Sequence, residues 1–134
     1  MRNLAAFTAI IAFGNLGVTI WHLRLASDLN PALSFAEAAR IGAVTVVLTL
    51  CGIGLLWARH RLVGSLVLLS VFAIGLVIGS LEHFFIPGPN NVFDAGVGDV
   101  AFLFRFNVAL LVILQIAGLW GVARLIGSAW RSAA

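Results

Sequence analysis

Four long apolar stretches, at about residues 4–21, 38–58, 62–86 and 100–126, fill most of the 134-residue chain. Each is long enough to cross a hydrocarbon core of about 30 Å at about 1.5 Å of helix rise per residue. A chain built this way has few folding options. Its main-chain polar groups find no water in lipid, so each segment must satisfy its own hydrogen bonds. Continuous apolar runs without alternation favour helices over barrel strands. The fold class expected is all-α, an integral membrane four-helix bundle with short loops in a single transmembrane domain.

The residue counts agree. Hydrophobic residues make up 62% of the chain and charged ones 10%, against about 25% charged in an average soluble domain. Such a composition excludes an ordinary soluble fold. It also excludes disorder, which needs little apolar content and much charge. Eight basic residues, all arginine, stand against five acids. The arginines are scattered rather than clustered, so no nucleic-acid partner is expected. The lipid bilayer is the expected partner, with other membrane subunits or a second copy as further candidates. A single cysteine, Cys51, rules out an intrachain disulfide and reads as a small hydrophobe inside the second stretch.

Met1-Arg2-Asn3 followed by an apolar run resembles a signal peptide. The run is long for one, however, and Trp21, His22, Leu23 and Arg24 do not suit a cleavage site. It is read as a retained first span. The breaks between spans are punctuated. Asp28-Leu29-Asn30-Pro31 ends the first, and Ser34 with Glu37 forms a capping-box pattern before the second. Arg59-His60-Arg61 makes a short turn, Pro87-Gly88-Pro89-Asn90-Asn91 closes the third, and Asp99 is a candidate N-cap for the fourth.

Charge bias predicts orientation. Arg2, Arg59, Arg61, Arg124 and Arg131 fall on one side. The other side has Arg24 and Arg40, with Arg105 just inside the fourth span, and all five acids. Both termini are expected in the cytoplasm, with a bacterial inner membrane the expected location.

Polar residues inside such helices are the natural candidates for function. Thr8, Asn15 and His22 recur every seven residues, with Thr19 on the same side; Thr8, Asn15 and Thr19 read first as hydrogen-bonding glue between helices. His22 and His83 end two parallel spans at similar depth. With Glu82 they offer nitrogen and oxygen donors for a transition metal, or two axial ligands for a haem. A proton relay and plain interfacial histidines are the other readings. Arg105 and Asn15 are candidates for a charge partner or second layer around that site. Arg105 either pairs with Glu82 or snorkels to the outer interface. Asn107, Gln115, Gly118 and Gly121 form a separate face that reads as packing, as do Gly75 with Gly79, and Gly42, Thr45, Thr49 and Gly52. The loop from Pro87 to Gly98 either covers the histidines or docks on a partner.

No phosphate-binding loop, dinucleotide fingerprint, Ser-His-Asp set or zinc-finger spacing is present. Two function classes remain: a small membrane protein with an outer-facing metal or haem site, and a non-catalytic accessory subunit of a larger membrane complex. A homodimeric transporter is weaker, because no acid lies near the midplane.

Overall fold

The computed structural model describes residues 2–29, 35–88 and 90–131, with the side chains of residues 2, 35–39 and 41 outside that set. Four helices follow in order: α1 (Arg2–Leu29), α2 (Phe35–Trp57), α3 (Arg61–Ser80) and α4 (Asp99–Arg131). A single wider turn, Leu81–Phe85, continues α3. The chain is an all-α helical bundle with no strand among the described residues.

Two buried clusters show how the helices run. One joins Ala9 and Ala12 of α1, Ile53 and Leu56 of α2, Leu68 and Phe72 of α3, and Val122 and Leu125 of α4. The other joins Leu25 and Ala26 of α1 to Val92 in the last loop and to Phe104 and Val108 of α4. The start of α1 therefore lies with the end of α4, and the end of α1 with the start of α4. Successive helices run antiparallel, and α1 and α3 run in parallel.

Polarity is distributed inside out. Large apolar side chains such as Ile10, Phe13, Val47, Ile74, Val77, Ile113 and Ile116 face outward. Thr8, Asn15, Thr49, Ser65, Asn107 and Gln115 are buried. Water would oppose that arrangement and hydrocarbon favours it. Asn3–Leu29, Arg61–Phe85 and Asp99–Arg131 are each long and apolar enough to cross a membrane, while α2 adds a shorter apolar stretch, Gly42–Trp57.

Several details depart from the sequence expectations. α1 runs past Trp21 to Leu29, its last turns carrying an ion pair between Arg24 and Asp28 at 3.3 Å. Ser34 lies outside the described residues, so its capping box does too. Asp99 occupies the first turn of α4, and the carbonyl of Gly98 accepts from the Phe102 N–H. Cys51 is exposed on the bundle surface, because the rotation of α2 turns Gly52 and Ile53 inward instead. The hydroxyls of Thr8 and Thr19 bond back to the carbonyls of Leu4 and Asn15. They are satisfied within α1 and do not bond across to another helix, the usual local solution for a threonine in a helix.

Small residues set the helix spacing. A Cβ added at Gly64 of α3 would lie 2.8 Å from the carbonyl oxygen of Gly52 and the nitrogen of Leu56, both main-chain atoms of α2. Gly121 of α4 faces the Thr8 hydroxyl, and Gly118 faces the ring of Phe72. The turn between α2 and α3 is equally tight. The His60 N–H bonds the Leu55 carbonyl, and Arg59 takes a left-handed φ of 69°, a place where glycine usually ends a helix.

Gly64→Ala forces main-chain atoms apart and is expected to cost about 1–3 kcal/mol. Gly17, with nothing within 4 Å of its added Cβ, is the control. Gly17→Ala should be neutral or stabilising by up to about 1 kcal/mol through helix propensity. Unfolding titrations of both variants in detergent micelles check the difference.

Candidate functional site

His22 is in the sixth turn of α1, and His83 is in the wider turn that continues α3. Their rings touch edge to face, with centroids 4.7 Å apart. The fully buried ring of Phe104 on α4 packs against both, at 5.3 Å from His22 and 5.8 Å from His83. Three helices thus meet at one aromatic cluster at the end of the bundle away from the termini.

The wider turn is what presents His83. The Ile86 N–H reaches back five residues to the Leu81 carbonyl, and the His83 carbonyl accepts from the Val92 N–H. Single turns of this kind occur often at functional sites, because they re-aim side chains and free main-chain groups. His83 is turned inward and buried, while Glu82, its neighbour, is exposed. Adjacent residues on a helix do not share a face. Among the described residues no cluster of three or more His, Cys, Asp or Glu side chains could hold a metal ion. Glu82 therefore does not join the histidines in a three-ligand cluster.

Each histidine is fixed through Nδ1. The Nδ1 of His22 lies 2.9 Å from Oδ1 of Asn107, and the Nδ1 of His83 lies 2.8 Å from the main-chain oxygen of Asn90. The network assigns the protons. Asn107 donates through Nδ2 to the Val18 carbonyl at 3.2 Å, so its oxygen faces His22 and accepts. A carbonyl oxygen can only accept, so the His83 Nδ1 donates as well. In its neutral form each ring then carries its proton on Nδ1 and a lone pair on Nε2. Among the described residues neither Nε2 has a hydrogen-bond partner.

Asn107 was expected to be packing and is instead the strut of the site. It is fully buried between α1 and α4, where its amide satisfies one group of α1's main chain and one of its side chains. Position on α4 alone gives no signal of this, because the match depends on which residue of α1 it meets.

Asn15 stays apart. It lies seven residues before His22, about 10 Å along the helix, and its buried Oδ1 has no partner among the described residues. Arg105 does not pair with Glu82. Its Nε donates to the Val92 carbonyl at 2.8 Å, and a terminal nitrogen donates to the Gly96 carbonyl at 2.7 Å. Irregular loop carbonyls lack a ladder partner and must be satisfied in some other way. Arg105 does this for a loop that also bonds to itself. The Asn91 side chain donates to the Ile86 carbonyl and accepts from the Phe93 N–H, and Asp94 accepts from the Gly88 N–H. The loop lies on its own bundle: Val92 is in the second core cluster, and Asn90 holds His83.

A haem does not fit between these rings. Bis-imidazole ligation holds the centroids about 6 Å apart with the macrocycle between them, and here the rings are already in contact. Two imidazoles on one ion at a tetrahedral angle need only about 5 Å between centroids, close to the observed spacing.

His22→Phe leaves Asn107 half satisfied, and Asn107→Leu strands the His22 Nδ1–H. Each should cost about 1–3 kcal/mol, and the double variant less than their sum, with a coupling of about 0.5–2 kcal/mol in a double-mutant cycle. Glu82→Gln and Arg105→Gln, by contrast, should add within about 0.5 kcal/mol, and only Arg105→Gln should loosen the loop to hydrogen exchange. Comparison with protein-family models, curated proteins and solved structures gives no match.

Proposed function

We propose that this is a four-span integral membrane protein that binds a borderline transition-metal ion, of which zinc is the model, between His22 and His83. The reading takes α2 as the fourth span. It places both termini in the cytoplasm, from the arginine bias, and the histidines at the outer face.

One observation carries the reading. Both rings give their Nδ1–H to a fixed oxygen, which leaves two Nε2 lone pairs on rings in contact. Metal-binding histidines are usually oriented this way, the second nitrogen donating to a carbonyl or carboxylate that sets the tautomer and raises ligand basicity. Imidazole suits zinc, copper, iron and nickel.

The ligand count suggests what such a site does. Structural zinc takes four protein ligands, and catalytic zinc generally three. Two leave two positions open to water, a chelating carrier or a substrate. Affinity is then modest and exchange fast, which suits taking up or handing on an ion at the membrane surface. The accessory-subunit reading would treat the same contact as packing glue.

Zinc titration of the purified protein in a non-ionic detergent, by calorimetry, separates the two. One ion per chain is expected, weakened by acid because protons compete for the same lone pairs. His22→Ala and His83→Ala should each lower affinity at least tenfold. His60→Ala, in the turn at the other end of the bundle, should leave it unchanged. Equal zinc binding by the wild type and a His22→Ala/His83→Ala double variant would reject the metal site and favour the subunit reading.

A further inference from the structure

At the end of the bundle opposite the histidines lies a cavity of about 510 Å³, lined by Ala5, Ala6, Leu56, Trp57, Arg59 and Arg61. Binding pockets for small organic ligands typically span about 300–1,000 Å³. The lining has two parts. Ala5 and Ala6 of α1 with Leu56 and Trp57 of α2 make an apolar wall, and Trp57 is exposed on the bundle surface. Arg59 and Arg61, on either side of the tight turn, make a cationic rim.

Among the described residues the rim has no acidic partner. The five acids of the chain are Asp28, Glu37, Glu82, Asp94 and Asp99, and all belong to segments at the other end. Among the described residues neither Arg59 nor Arg61 is in an ion pair. Arg59 moreover holds the left-handed φ of 69°, a position glycine fills without strain. A guanidinium is thus kept at a main-chain position that disfavours any side chain.

We infer that this cavity binds the phosphate of an anionic phospholipid, with Arg59 and Arg61 on the phosphate and an acyl chain along Ala5, Ala6, Leu56 and Trp57. Guanidinium groups suit phosphate because their fork matches two of its oxygens. Tryptophan suits the same depth, since its ring favours the headgroup boundary. Basic pockets between spanning helices bind anionic headgroups by this combination. The apolar wall selects lipid over free phosphate, which would leave that wall wet.

Native mass spectrometry of the protein in mixed micelles tests this, with phosphatidylglycerol and phosphatidylcholine as competing probes. The wild type should retain one phosphatidylglycerol per chain and little phosphatidylcholine. Arg59→Gly with Arg61→Gln should cut that retention at least tenfold, and Arg59→Gly is the change the turn tolerates best. Arg24→Gln, at the far end, should not alter it, and thermal melts confirm that the variants fold. Equal retention by wild type and double variant, or no preference between the two lipids, would overturn the inference. So would displacement of the lipid by millimolar inorganic phosphate. The histidine site plays no part in any of these outcomes.

Discussion

The amide of Asn107 is the joint on which the histidine end of the bundle depends. It accepts from the His22 ring and donates to the Val18 carbonyl, so one side chain of α4 holds both the backbone and a functional side chain of α1. In water such a link would be worth little, because solvent offers the same bonds. Inside an apolar bundle it is one of few ways to satisfy four polar atoms at once. It also settles the chemistry of His22, because an oxygen facing Nδ1 forces the proton there and the lone pair to Nε2.

Much else is arranged around that joint. Phe104 lies one turn away on α4 and fills the space against both rings. The wider turn after α3 carries His83 inward, and the loop behind it supplies the Asn90 carbonyl. Arg105, next to Phe104 on α4 but turned outward, fastens that loop at Val92 and Gly96. Helix, turn and loop therefore converge on two imidazoles from three directions. The opposite end is built differently, from close main-chain approach at Gly64 and a tight turn rimmed by arginine.

The four helices could be read from the sequence because apolar runs of this length leave little choice. The meeting of His22 and His83 could be read as well. Parallel helices bring their same ends together, and each histidine falls at such an end. Asn107 could not be read that way. On the helical wheel it shares a face with Gln115, Gly118 and Gly121, and only the relative rotation of α1 and α4 decides which of them meets a histidine. The wider turn at Leu81–Phe85 leaves no mark in the apolar pattern, and Glu82, adjacent to His83 in sequence, points to another face of the helix. Charge complementarity allows Arg105 either a pairing with Glu82 or a free reach to the interface, whereas nearby loop carbonyls in need of donors are the stronger attraction.

The central claim is that both imidazoles, in their neutral form, keep the proton on Nδ1 and leave Nε2 bare. Solid-state nitrogen NMR of histidine-labelled protein in lipid bilayers reads this directly, with His22→Phe and His83→Phe assigning the signals. The account predicts a protonated Nδ1 and an unprotonated Nε2 for both residues in metal-free protein at alkaline pH, where imidazole is neutral. It also predicts loss of the Nδ1 preference at His22 in Asn107→Leu. A protonated Nε2 on either ring in the wild type would contradict it.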